Sequence, residues 1–107
     1  MTTFDKREAA EEGKFAHDEE LQFKARARRD KLVGQWAAEK LGLSGAAAAD
    51  YAALLVATDL QEHGDGDVIR KLKMDFAAKN VQVSDHQSER TLSEKMAEAI
   101  KDIKAKG

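Results

Sequence analysis

The sequence has no cysteine, no proline and only six aromatic residues among 107. The lack of cysteine excludes disulfide bonds and thiolate chemistry, and is consistent with a reducing cytoplasm. The lack of proline, together with abundant alanine, favours helix over sheet. No run approaches the roughly 20 apolar residues of a membrane span, and the charged N-terminus lacks the apolar stretch of a signal peptide. These absences favour one small helical domain in the cytoplasm with no membrane insertion.

The charges occur in blocks although the net charge is only −2. Residues 1–20 carry seven acids and three bases, and residues 21–40 carry six bases and two acids. Residues 41–69 carry five acids and no base, and residues 70–107 carry nine bases and six acids. Blocks of opposite sign suit helices packed side by side, whereas the low net charge argues against a general nucleic-acid-binding protein.

The apolar periodicity predicts four helices with short connections, which is the pattern of an all-α four-helix bundle. The long first helix is expected from about residue 3 to 41, the second over 45–62 and the third over 67–79. The last begins after either of two capping patterns, at Ser84 or at Thr91. Gly42 and Ser44 are suited to end the first helix and cap the second.

Each predicted helix has an apolar stripe, and we interpret Trp36 and Tyr51 as core residues within these stripes. The first stripe is Leu21, Ala25, Leu32 and Trp36, widened by Phe15, Phe23, Val33, Ala37 and Leu41. The others are Tyr51, Leu54, Leu55 and Thr58; Val68, Ile69, Leu72 and Phe76; and Leu92, Met96, Ala99, Ile100 and Ile103.

The stretch from residue 1 to 14 does not fit the core pattern. After Met1 its only large apolar side chain is Phe4, which lies eleven residues, about three helical turns, before Phe15. Gly13 between them costs about 1 kcal/mol in a helix interior. The pattern predicts a weakly held N-terminal arm over 1–14 and a bundle domain over 15–107. Sparse anchors on one face of a charged segment are typical of a helix that binds in a partner's groove.

Two other clusters have a functional and a structural interpretation. Acids and a histidine surround one turn, at Asp59, Glu62, His63, Asp65 and Asp67. They lack the ligand spacing of a calcium loop, so we favour a turn with helix caps and expect no metal. The basic run Lys24–Lys31 could bind phosphate groups of a nucleic acid or nucleotide, but pairing with the acidic second helix is the favoured interpretation. No nucleophile lies beside a base and no phosphate loop is present, so we expect no enzymatic activity.

Several segments carry a resemblance to a known family. They are Met1–Asp5, Lys14–Leu21, Phe23–Arg29, Leu32–Ala38 and Val83–Gln87. Together they resemble the alphaproteobacterial zeta subunit family, the ATPase inhibitor of the F-type ATP synthase. The likeness covers nearly the whole chain and is densest from Lys14 to Ala38.

The resemblance implies a four-helix bundle whose N-terminal segment enters a catalytic interface of the synthase's soluble head and stops rotation in the hydrolytic direction. The implied partners are the alpha, beta and gamma subunits of that head, and the chain is expected to be a monomer when free. The implied partner-contacting residues are Phe4, Arg7, Glu8, Glu11, Lys14 and Phe15. The resemblance also implies weak binding of adenine nucleotides, to which no residue is assigned, and no other cofactor. A helical adaptor or nucleotide sensor without inhibitory activity is the alternative.

Overall fold

The computed structural model of the protein describes residues 18–61 and 65–106, and these residues form four α-helices. They are α1 (Glu19–Lys40), α2 (Gly45–Gln61), α3 (Asp65–Ala78) and α4 (Asp85–Lys106). α1 packs against both α2 and α4, and the shorter α3 lies against α2 and α4. The predicted all-α four-helix bundle is therefore confirmed.

The helix ends follow from a few capping residues. Gly42 has φ +79°, and the amides of Gly42 and Leu43 donate to the carbonyls of Glu39 and Ala38, which closes α1. Asn80, with φ +58°, closes α3 in the same way. α4 uses the first of its two predicted starts, because the Gln87 amide donates to Ser84 Oγ at 3.1 Å.

The predicted start of the third helix was wrong by two residues. α3 begins at Asp65, not Asp67, so the helix includes Gly66. A Cβ at Gly66 would have no atom within 4 Å, and its φ is not positive. Glycine is conformationally permissive, and at a helix end its entropic cost is tolerated.

The core lies where the four helices meet. Its buried members are Val33 and Ala37 of α1, Leu55 of α2, Val68, Leu72 and Phe76 of α3, and Leu92 of α4. Trp36 and Tyr51 are half-buried against this cluster, as predicted. The Trp36 and Phe76 rings meet edge to face, with centroids 5.7 Å apart.

Two predicted stripe residues are outside the core. Phe23 is 56 % exposed and Leu54 is 53 % exposed. Phe23 lies two residues, about 200° of helix, from the fully buried Ala25, so both cannot face inward. Ala52 and Leu55 fill the inward face of α2 and turn Leu54 towards solvent.

Candidate functional site

The six partner-contacting residues predicted from the sequence lie outside the described residues. They are Phe4, Arg7, Glu8, Glu11, Lys14 and Phe15. The helical start predicted at about residue 3 lies there too. The structure therefore leaves these assignments as predictions, and it describes the bundle to which this N-terminal segment is joined. The predicted single helix over 3–41 is nevertheless wrong, because Asp18 has extended backbone and caps a helix that begins at Glu19.

The described bundle begins at a helix cap that the sequence analysis did not identify. Asp18 has extended backbone, and its Oδ1 accepts a hydrogen bond from the Leu21 amide at 3.1 Å. Glu19 and Glu20 follow in the first turn of α1, where negative charge is favoured by the helix dipole. An aspartate followed by two glutamates was the sequence signal for this boundary.

The basic run of α1 is used within the fold. Arg26 donates to both oxygens of Asp59 on α2, at 2.8 and 3.3 Å. Arg28 donates to Asp102 Oδ2 on α4, at 3.2 and 3.3 Å. These pairs tie α1 to both neighbouring helices, so the structure supports the interpretation that the run pairs with acids of its own chain. The sequence predicted pairing with the second helix only, and did not predict the pair between Arg28 and Asp102 of α4.

A buried charged cluster joins α1 to α2 beside these pairs. The Arg29 side chain, 5 % exposed, donates from Nε and Nη2 to Asp30 Oδ1 at 2.9 and 2.8 Å. The same Nη2 lies 3.4 Å from Asp59 Oδ2. The Asp30 and Asp59 side chains are only 1 % and 5 % exposed. One buried guanidinium thus contacts two buried carboxyl groups.

The two carboxyl groups differ in acidity. Burial, and then a hydrogen bond with Asp59, raise the pKa of Asp30 to about 7, against the lowering effect of Arg29. Burial also acts to raise the pKa of Asp59, but the hydrogen bond from Asp30 and the charges of Arg26 and Arg29 outweigh it and lower that pKa. At a pH between these two pKa values, the favoured state is therefore one in which Asp30 holds a proton and Asp59 is ionised.

The acidic turn predicted to be a structural feature is only partly described. Asp59 binds arginines, and Asp67 Oδ1 accepts from Arg70 at 2.8 Å. Glu62 and His63 lie outside the described residues. Across residues 18–61 and 65–106, no group of three or more acidic, histidine or cysteine side chains is arranged to hold a metal ion.

Polar contacts also hold α3 to α2. Tyr51 donates its hydroxyl proton to Asp75 Oδ2 at 2.7 Å, and Lys71 pairs with the same oxygen at 3.0 Å. Burial, and then the Asp75 carboxylate, raise the pKa of Tyr51.

A shallow cavity of about 230 Å³ lies nearby. It is lined by Thr58, Gln61, Asp67, Arg70, Lys71, Met74 and Asp75. Its charged residues are paired with each other, so it resembles a helix–helix groove more than a binding site.

Large exposed apolar side chains are few in the described part of the chain. They are Phe23, Leu54, Leu60 and Met74. None of the described helices is both long enough and apolar enough to cross a bilayer.

Comparisons with known proteins give a consistent result. The family model for ATPase inhibitor subunit zeta matches residues 1–102. A solution NMR structure that is 39 % identical superimposes with a TM-score of 0.71, covering 81 % of this chain and 99 % of that one. No curated protein matches the chain. The match to the family model spans both the N-terminal segment and the bundle.

Proposed function

The chain belongs to the ATPase inhibitor subunit zeta family, and we propose that it inhibits ATP hydrolysis by an F-type ATP synthase through its N-terminal segment. In this proposal residues 1–14 and the adjoining Phe15 insert into a catalytic interface of the soluble head, while the four described helices stay outside it. The observation that carries the proposal is the family match over residues 1–102, which includes this segment.

The architecture of the bundle supports this division of roles. α1 has its own N-cap at Asp18, and the buried core cluster is built from residues between Val33 and Leu92. A segment upstream of Asp18 can therefore differ in sequence and contacts without removing a member of this cluster. We assign Phe4 and Phe15 as apolar anchors and Arg7, Glu8, Glu11 and Lys14 as polar contacts to the head.

Inhibition follows physically if the segment binds as a helix in a groove. A helix wedged between subunits stops the interface from completing the movements of hydrolysis, so rotation in that direction halts. Ordering the segment costs free energy, which its contacts must exceed, so a few large anchors should dominate affinity. The proposed partners are the alpha, beta and gamma subunits, with the protein monomeric when free and held in the cytoplasm at the membrane through the synthase.

The direct test measures ATP hydrolysis by the purified soluble head of the cognate synthase with increasing amounts of the full chain. We expect hydrolysis to fall about tenfold or more at saturation, because a filled interface stops the rotation on which turnover depends. A chain lacking residues 1–14 should not inhibit. Its melting temperature should match that of the full chain.

A matched control carries residues 1–14 in scrambled order, which keeps length and charge but moves Phe4 off the face of Phe15. This variant should fail to inhibit, like the deletion. Unchanged hydrolysis with the full chain would remove the inhibitor proposal. Full inhibition by the truncated chain would assign inhibition to the bundle instead of the N-terminal segment.

A further inference from the structure

The buried cluster between α1 and α2 holds more carboxyl groups than buried cations. Arg29, Asp30 and Asp59 are each about 5 % exposed or less, whereas the Arg26 side chain is 39 % exposed and partly solvated. Two ionised carboxylates facing one buried guanidinium leave a negative charge that burial disfavours. One proton shared by the carboxyl groups makes the buried trio neutral.

The described hydrogen bonds favour Asp30 as the group that holds this proton. Asp59 accepts from Arg26 on Oδ1 and from Arg26 and Arg29 on Oδ2. Asp30 accepts both of its described arginine bonds on Oδ1. With a proton on Oδ2, Asp30 would donate a hydrogen bond to Asp59. Of the two carboxyl groups, Asp59 has the more strongly stabilised negative charge.

We propose that Asp30 and Asp59 form a proton-controlled latch between α1 and α2, closed when they share one proton and weakened when both are ionised. Asp30 belongs to α1 and Asp59 lies two residues before the end of α2 at Gln61. Loss of the shared proton leaves two negatively charged carboxylates facing each other where α1 and α2 meet, and their repulsion weakens the contact. The latch does not depend on the proposed inhibitory function.

The nearest further cation serves Asp59 and does not act on Asp30. On α1, Arg26 donates to Asp59, Arg29 contacts both carboxyl groups, and Arg28 is engaged by Asp102 of α4. Further along α4, Lys95 pairs with Glu98, and on α3 Asp67 pairs with Arg70. In the described residues, the groups that act electrostatically on Asp30 are Arg29 and Asp59.

The sign of the pH effect follows from the raised pKa of Asp30, about 7 in the folded chain. Unfolded aspartate titrates near 3.9, so between about pH 4 and 7 the folded state binds more protons than the unfolded one. The stabilising contribution is therefore fully present below that window and is lost as the pH rises through 7.

The test is urea unfolding of the full chain at pH 5.5, 7 and 8.5. We expect the unfolding equilibrium constant of the wild type to rise about tenfold or more from pH 5.5 to 8.5 through this pair. Asp30→Asn supplies an uncharged donor towards Asp59, so this variant should lack that rise and be the more stable protein at pH 8.5. The three histidines are present in both proteins, so the difference between the two curves excludes them.

Asp102→Asn is the matched control, since it removes a carboxylate from the half-exposed Arg28 pair on the other side of α1. It should keep the wild-type pH profile. A second measurement needs no variant: carboxyl carbon NMR shifts of wild-type Asp30 and Asp59 should show one titration step near pH 7 and one below pH 4. Two steps below pH 5, or an Asp30→Asn profile that parallels the wild type, would overturn the latch.

Discussion

Phe76 shows how far a single residue can be interpreted from sequence. The i, i+4 spacing of Leu72 and Phe76 predicted that both face the core, and both are buried. The same reasoning could not predict Arg29 and Asp30 as buried residues, because charged side chains are almost never buried unless paired. Their partner Asp59 lies about thirty residues away, and no local pattern shows which acid meets which arginine.

Phe76→Ala should be among the most destabilising single changes in the bundle. Phe76 is 2 % exposed and its ring meets Trp36 edge to face, so truncation loses both burial and an aromatic contact. We expect a loss of about 3–5 kcal/mol in the free energy of unfolding, measured by urea denaturation. Met74→Ala on the same helix, at a side chain 66 % exposed, should change it by less than about 0.5 kcal/mol. Equal losses would show that the ring does not lie in the core.

At the level of helices, the α1–α2 contact depends on small residues. A Cβ placed on Gly34 would lie 2.5 Å from Ala52 Cα and 2.9 Å from its Cβ. At this point the two helix backbones are therefore too close to leave room for a side chain on residue 34. The sequence predicted both helices and their short connection at Gly42. It did not predict Gly34 as the closest approach, because that depends on which residue of α2 lies opposite.

Gly34→Ala should therefore separate α1 from α2. The nearest atom is backbone, which cannot rotate away, so we expect a loss of about 1–3 kcal/mol despite the better helix propensity of alanine. The same substitution at Gly66 of α3, where the added Cβ meets no atom within 4 Å, should be neutral or slightly stabilising. Urea denaturation of the two variants compares them directly. A stabilised Gly34→Ala protein would mean that the helices are farther apart than described.

Across the whole molecule, the sequence predicts two parts, a bundle held by its own core and an N-terminal segment without enough apolar residues to join that core. The bundle follows from apolar periodicity, capping residues and absent proline. The end of α1 and the other three helices were therefore predictable to within a few residues, whereas the start of α1 after Asp18 was not predicted. The N-terminal segment has too few apolar residues for periodicity to specify a fold. Its assigned role comes from family membership, and residues such as Arg7 and Glu11 stay predictions because a partner, not this chain, would determine their contacts.

This separation predicts that stability and inhibition can be changed independently. Phe4→Ala removes an anchor proposed to bind the synthase head, so it should weaken inhibition by about tenfold or more, as loss of a central aromatic contact does. Its melting temperature should stay within about 2 °C of the wild type, since a change outside the bundle core alters stability little.

Phe76→Ala should have the opposite effects: it should melt at a much lower temperature, yet still inhibit at temperatures where it is folded. Glu89→Ala, on the exposed face of α4, should change neither property. If Phe4→Ala lowered the melting temperature as much as Phe76→Ala does, Phe4 would belong to the bundle, and residues 1–14 could not be a segment reserved for the partner.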